Sequence, residues 1–218
     1  MNFTRNRLVK VPIQRNTVDN LNIRRSCAIS LSSISDEEII YVDETGFNLD
    51  TNSIYGYSPV NQKSFRMVPA GKGLNVSLLC AISLRGLITY QIFDGSINSE
   101  KFQEFTLNKL SSKKIERETI LILDNASIHK SHNTISCIHS VGMTPRFLPP
   151  YSPQLNPIEE YFSCIKAAYK GFRPIPQNRE ELKAALNTIL MQNSFETSGY
   201  FRDSRRYIEQ ALARNLFI

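Results

Sequence analysis

Three carboxylates stand where their positions could do chemistry. Asp43 closes the apolar run Ile39-Ile40-Tyr41-Val42, Asp124 closes Ile120-Leu121-Ile122-Leu123, and Glu159 follows Asn156-Pro157 at the start of a helical pattern. Acids at strand ends and helix starts gather along one rim of an open α/β sheet, where ligand and catalytic sites collect. No histidine or cysteine ligand set accompanies them, and an oxygen-only site suits Mg²⁺ or Mn²⁺. Two such ions, about 3.5–4 Å apart, ready a water or 3′-hydroxyl and stabilise the leaving oxygen of a phosphodiester. On a central strand, Asp43 would bridge both ions, with Asp124 and Glu159 each holding one side. Each acid also has a purely structural explanation. Asp43 and Asp124 can simply end strands, Asp124 can open an Asx turn with Asn125, and Glu159 can close a capping box with Asn156.

The elements that must position these acids follow from periodicity. Residues 1–35 show neither helical nor strand pattern except for a short helix around Asp19 to Ser30. From Ile39 an apolar run predicts a first strand. Two β-rich runs, 75–83 and 87–93, are separated by Leu84-Arg85-Gly86 and read as a hairpin. Phe102, Phe105, Leu107 and Leu110 lie near helical spacing, which predicts a helix over Ser99 to Leu110. A strand at 119–124, a short helix, and a strand at Thr144 to Leu148 come next. Asn156 is suited to an N-cap and Pro157 to the first helical position. The helix beyond would bury Ile158, Tyr161, Phe162, Ile165, Ala168, Tyr169 and Phe172. Further helices are expected from Asn178, with Glu181 at its third position, to about Met191, and from Tyr200 to Leu212. Antiparallel hairpins leading into strand–helix alternation indicate an α/β sheet with helices on both faces.

Composition narrows the function classes. At 24.9 kDa the chain can bury a core without staples. No run nears the ~18 apolar residues of a membrane helix, and the start lacks a signal peptide's apolar segment. Both observations point away from a membrane-spanning or secreted protein. Cys27, Cys80, Cys137 and Cys164 form no C-x-x-C pair and read as free thiols. The net charge of +6 is concentrated in residues 1–35, where Arg5, Arg7, Lys10, Arg15, Arg24 and Arg25 face only Asp19. A basic arm on a nearly neutral body suits a polyanionic partner.

Local sequence around the acids adds a resemblance. YVDETGFN (41–48), LILDNASIHKS (121–131) and LPPYSPQLNPIEEYFSCIK (148–166) resemble, in order, the three motif blocks of the DDE transposases of the Tc1/mariner and insertion-sequence 630-like superfamily. Between Asp124 and Glu159 lie 34 residues, the DD34E arrangement of the Tc1-like branch. Residues 85–110 also resemble the segment between the first two blocks. The resemblance implies an RNase H-like fold, here a mixed five-stranded sheet flanked by helices, with Asp43, Asp124 and Glu159 as catalytic triad and metal ligands. Glu160 does not match, because the family's acid directly follows Asn-Pro-x. It further implies Mg²⁺, with Mn²⁺ as substitute and two ions, for cutting transposon ends and joining the freed 3′-hydroxyl to target DNA.

Other residues carry weaker expectations. Glu44 can be a supporting acid or a solvated strand-end charge, and Asp94 sits in a Phe-Asp-Gly turn. His129 belongs to the family's D-N-A-x-x-H pattern and can orient a water or phosphate. His132 and His139 read as surface residues. Lys166 and Lys170 share a helical face that would look along bound DNA, and Lys72, Arg24 and Arg25 are further candidate phosphate contacts.

The expected organisation is a basic interdomain linker over 1–35, the remnant of a missing helix-turn-helix region, followed by the catalytic domain over 36–218. On this reading the chain is truncated and binds DNA with little sequence preference. The expected partners are double-stranded DNA and a second copy of the chain, in a nucleus if eukaryotic and in the cytoplasm or nucleoid if bacterial. The competing reading is an inert, transposon-derived DNA- or protein-binding module.

Overall fold

The computed structural model describes residues 10–49, 57–65, 75–112 and 119–217. Lys72, Arg5 and Arg7 lie outside them. The sheet has five strands: β1 (Ile39–Phe47), β2 (Val76–Ser83), β3 (Gly86–Asp94), β4 (Ile120–Leu123) and β5 (Thr144–Phe147). Their order is β3-β2-β1-β4-β5. β1, β2 and β3 run antiparallel, whereas β4 and β5 pair parallel to β1 and to each other. This is the mixed five-stranded sheet expected, with β1 at its centre.

The hairpin turns through Leu84 and Arg85 alone, since Gly86, at φ +120°, already belongs to β3. Only glycine takes that backbone conformation without steric penalty.

Side chains alternate across β1, so successive residues serve different layers. Tyr41 and Phe47 join Leu78, Cys80, Ile82 and Ile122 on one face. That face is covered by α1 (Val18–Ser32), α4 (Ile158–Gly171), α5 (Arg179–Gln192) and α6 (Ser198–Leu212). Ile40 and Val42 join Leu79, Ala81, Leu121 and Leu123 on the other, under α2 (Ser99–Phe105) and α3 (His132–Ser140). α2 continues into one turn of π-helix over Thr106–Leu110.

Helix starts follow local chemistry. The Thr17 side chain accepts from Asn20 N at α1, Asn98 from Lys101 N at α2, and Asn178 from Glu181 N at α5. Each satisfies one orphan amide, typically worth ~1 kcal/mol. α4 buries Ile158, Tyr161, Phe162, Ile165 and Tyr169 as its spacing predicts.

Two expectations need correction. Asp43 does not end its strand, because β1 runs four residues further, paired with β2 as far as Phe47 opposite Val76. Pairing with β4, however, stops at Tyr41 opposite Ile122. Asp43 therefore lies just where β1 overhangs its shorter neighbour, which is what opens a rim there.

Nor do residues 10–35 form a detached arm. Ala28 and Leu31 of α1 are buried in the main core. Arg205 of α6 donates to the Leu31 and Ile34 carbonyls and to Asp36. Arg24 is almost wholly buried, 1% exposed, and donates to Arg15 O, Asn16 Oδ1 and Ser152 Oγ. Its guanidinium also stacks 4.1 Å from the Phe217 ring centre. The pattern missed this docking because α1 shows almost no apolar segregation of its own, and the polar Arg24 and Arg205 do much of the joining.

Candidate active site

Asp43 stands at the heart of the rim, 7% exposed. Its Oδ1 accepts from the Glu44 backbone N–H and its Oδ2 from the Asn156 side-chain amide, both at 2.8 Å. Burial pushes the Asp43 carboxyl well above the ordinary carboxylate range. The charges of Glu44, Asp124 and Glu159 push it further, against one lowering bond from the Glu44 amide. Asp124 and Glu159 thus both bear on Asp43, although the Asp124 side chain itself is well exposed to solvent.

Asp124 follows the last residue of β4, and its Oδ1 accepts from Ala126 N at 2.9 Å. The Asx turn expected there is present, and it coexists with the rim position. Glu159 occupies the first turn of α4, where the helix dipole favours an anion. Partial desolvation raises its carboxyl, with Lys166 pulling down and Asp124 pushing up. Asp124, Asn156 and Glu159 line one cavity of about 180 Å³, walled by the proline loop Pro149 to Pro153. A larger hollow of about 540 Å³ runs along edge strand β3 and is lined by none of the three acids. Glu160 feels Asp203 of α6 and lines, with Glu159, Ser163 and Tyr207, a separate open hollow that neither Asp43 nor Asp124 lines.

Asn156 departs from the expected N-cap. α4 begins at Ile158 after Pro157, with no side-chain cap, and the amide of Asn156 reaches Asp43 instead. Its backbone carbonyl accepts from Glu159 N at 3.1 Å. No capping box forms. The loop before it is braced from the N-terminal segment: Arg15 Nε donates to Tyr151 O, and Arg24 Nε to Ser152 Oγ. Tyr151 holds a left-handed backbone, φ +55°, uncommon for a non-glycine residue.

His129 and Glu44 lie on the opposite side of the rim from Asn156. His129 is fully buried, its ring edge-on to Phe102 with centres 4.5 Å apart. Its Nε2 is 3.3 Å from Asp124 Oδ1 and 3.5 Å from Glu44 Oε2, though neither approach has hydrogen-bond geometry. Glu44 is thus no fully solvated strand-end charge: the alternation of β1 turns it toward His129, with its Oε2 buried. A strand pattern extended past Asp43 would have revealed this.

The candidate DNA contacts divide. Arg25 and Lys170 are exposed and Lys166 is half-buried near Glu159. Arg24, by contrast, is committed to protein partners and is removed from solvent. Asp94 pairs with Lys183 at 2.8 Å and Arg179 at 3.5 Å, tying β3 to α5. His132 and His139 are exposed, and all four cysteines are free thiols.

Among the described residues, no three His, Cys, Asp or Glu side chains stand close enough to hold a metal ion as placed. The donor set nevertheless fits a hard divalent cation. It is oxygen-only, and the buried Asp43 carboxyl, held at both oxygens, has the negative charges of Glu44, Asp124 and Glu159 bearing on it.

The DDE superfamily endonuclease family model matches residues 38–183. No curated protein matches. Among solved structures, a pre-cleavage Mos1 transpososome superposes over 100% of this chain and 68% of its own, with a TM-score of 0.77 and 16% identity. The mariner Mos1 paired-end complex with Mg gives the same values. The catalytic domain of Mos1 mariner transposase superposes over 97% of this chain and 100% of its own, with a TM-score of 0.66 and 14% identity. With its mixed RNase H-like sheet and a family match over most of its length, the chain belongs to the DDE superfamily endonucleases.

Proposed function

We propose that this protein is the metal-dependent catalytic domain of a transposase, which hydrolyses phosphodiesters at transposon ends and transfers the 3′-hydroxyl into target DNA. The observation that carries the reading is geometric: Asp43 is buried at the sheet rim and held by Glu44 N–H and Asn156, and Asn156 in turn lines one cavity with Asp124 and Glu159. Asp43, Asp124 and Glu159 would hold the ions. When bound, Mg²⁺ or Mn²⁺ supplies Lewis acidity at the scissile phosphate and lowers the pKa of the attacking water or hydroxyl.

The chain's own residues do the rest. Glu44 N–H and Asn156 hold the Asp43 carboxylate, and the Asx turn holds Asp124. Lys166 and Lys170, on the helix that carries Glu159, would meet DNA phosphates. Mos1 is seen with transposon ends in paired-end complexes, which supports duplex DNA as partner and a second copy of this chain beside it. Such a protein would act in a nucleus or at a nucleoid.

The full 218-residue chain is expected to relax supercoiled plasmid slowly with Mg²⁺ or Mn²⁺, to stop with chelator, and to stay idle with Ca²⁺, whose looser coordination suits the geometry poorly. The wide placement of the three acids favours a second reading, an inert DNA-binding module. DNA binding without nicking in either metal would establish that reading.

Electrostatic contact with DNA has its own test. Deleting residues 1–35 would strip Ala28, Leu31 and Arg24 from the fold, so point changes are needed. Arg25→Gln, Lys166→Gln and Lys170→Gln should each leave thermal stability unchanged. Each that meets a phosphate should reduce the slope of log K against log salt by about 1. Unchanged slopes in all three would place the DNA elsewhere.

A further inference from the structure

We propose that Asn156 is a positioning residue for Asp43, setting the orientation in which that carboxylate receives a divalent cation. The inference rests on the metal-dependent reading above and concerns a residue outside the three acids. Asn156 is 5% exposed and 113 positions from Asp43 in sequence, yet its Nδ2 donates to Asp43 Oδ2 at 2.8 Å. Only the amide nitrogen can face an ionised carboxylate there, because the amide oxygen has no proton to give. When the Asp43 carboxylate is ionised, this bond is charge-assisted, roughly twice as strong as a neutral one.

Together with the Glu44 N–H on Oδ1, this bond leaves the Asp43 carboxylate plane no freedom to turn. Each oxygen still keeps a lone pair for a cation. Partners of this kind, one bond removed from a metal, fix ligand orientation, and losing one typically costs 10–100-fold in metal affinity or activity.

The same residue reaches the third acid by its main chain, since Asn156 O accepts from Glu159 N at 3.1 Å. One residue thereby joins the carboxylate of the first acid to the backbone that carries the third. Its own place is secured on both sides. Asn156 N donates to Pro153 O at 2.9 Å, and Pro157 follows with its φ locked at −61°. The side chain is free for Asp43 because α4 opens on Pro157, which carries no N–H, and takes no side-chain cap.

The test is Mn²⁺ binding to the full chain, followed through the electron-spin resonance of free Mn²⁺, in the parent protein and in Asp43→Asn, Asn156→Ala and Asn156→Ser. Serine keeps a hydroxyl able to hydrogen-bond at this buried position should alanine impair folding, while that hydroxyl is too short to reach Asp43. Binding to the parent protein and loss in Asp43→Asn establish the site. Against that reference, both Asn156 variants should bind 10–100-fold more weakly. Their nicking kcat should fall with KM for DNA unchanged, and excess Mn²⁺ should restore it, which a merely structural defect would not allow. Parent-like Mn²⁺ affinity in a folded Asn156 variant, with Asp43→Asn abolished, overturns the inference alone. Parent binding indifferent to Asp43→Asn overturns the metal reading, and the inference falls with it.

Discussion

Asp43→Asn should raise the melting temperature of the metal-free protein and at the same time lower its metal-dependent nicking at least ~10³-fold, an effect of about 4 kcal/mol on the barrier. The stability half follows from the sign of the shift. The folded-state carboxyl of Asp43 lies well above its ordinary value, chiefly through burial and then through Glu44, Asp124 and Glu159. Folding therefore favours the protonated form, and that advantage is lost as pH rises through the raised value. At neutral pH the charged side chain is a liability that asparagine removes. A gain of ~1 kcal/mol corresponds to roughly 2–4 °C in a chain of this size, and it should be larger at pH 8 than at pH 5. Asp124→Asn and Glu159→Gln should abolish nicking as well. Excess Mn²⁺ should reverse the stability order, since binding at 100 times Kd adds about 2.7 kcal/mol to the parent and little to the variant. A lower melting temperature for Asp43→Asn at pH 8 without metal would refute the strain assigned to this carboxylate.

The second large effect belongs to Arg24. Arg24→Ala should cost about 2–4 kcal/mol, removing three donated hydrogen bonds and the stack on Phe217 from a buried position. That is a fall of roughly 4–16 °C in melting temperature. Arg24→Lys should recover little, because a single ammonium cannot reach Arg15 O, Asn16 Oδ1 and Ser152 Oγ together while lying flat on a ring. Ser152 belongs to the loop that leads to Asn156 and Glu159, so nicking should suffer more than the lost stability explains. A melting temperature within a degree of the parent would return Arg24 to the surface.

Much of this was legible in the chain. Apolar and β-rich runs placed every strand of the sheet, whose β1, β2 and β4 are covered on both faces. Helical apolar spacing placed the helices after the proline loop, which bury one face each. The acids at 43, 124 and 159 were visible because each interrupts or opens such a pattern. Three features were not legible, for different reasons. The overhang of β1 past β4 depends on the length of a neighbouring strand, which no local pattern in β1 reports. The diversion of Asn156 from helix cap to Asp43 is decided across 113 residues, whereas capping rules see only the next three. The burial of Arg24 inverts the usual reading of a basic residue, and only the arrival of Phe217 and Ser152 makes it favourable.

That last contact bears on the order in which the molecule can be assembled. Asn16 exchanges two hydrogen bonds with the backbone of Phe217, and α1 lies against α6. α1 thus has its partner helix roughly 180 residues downstream of it. Until α6 emerges, Arg205 cannot reach the Leu31 and Ile34 carbonyls, and α1, with so little amphipathic character, lacks its principal partner. Loop closure over that span raises the entropic barrier before any contact rewards it. The central sheet can form from local hairpins and the β4–β5 unit, but the brace on the proline loop arrives last. The rim that carries Asp43, Asp124 and Glu159 would therefore be fully braced only late in folding.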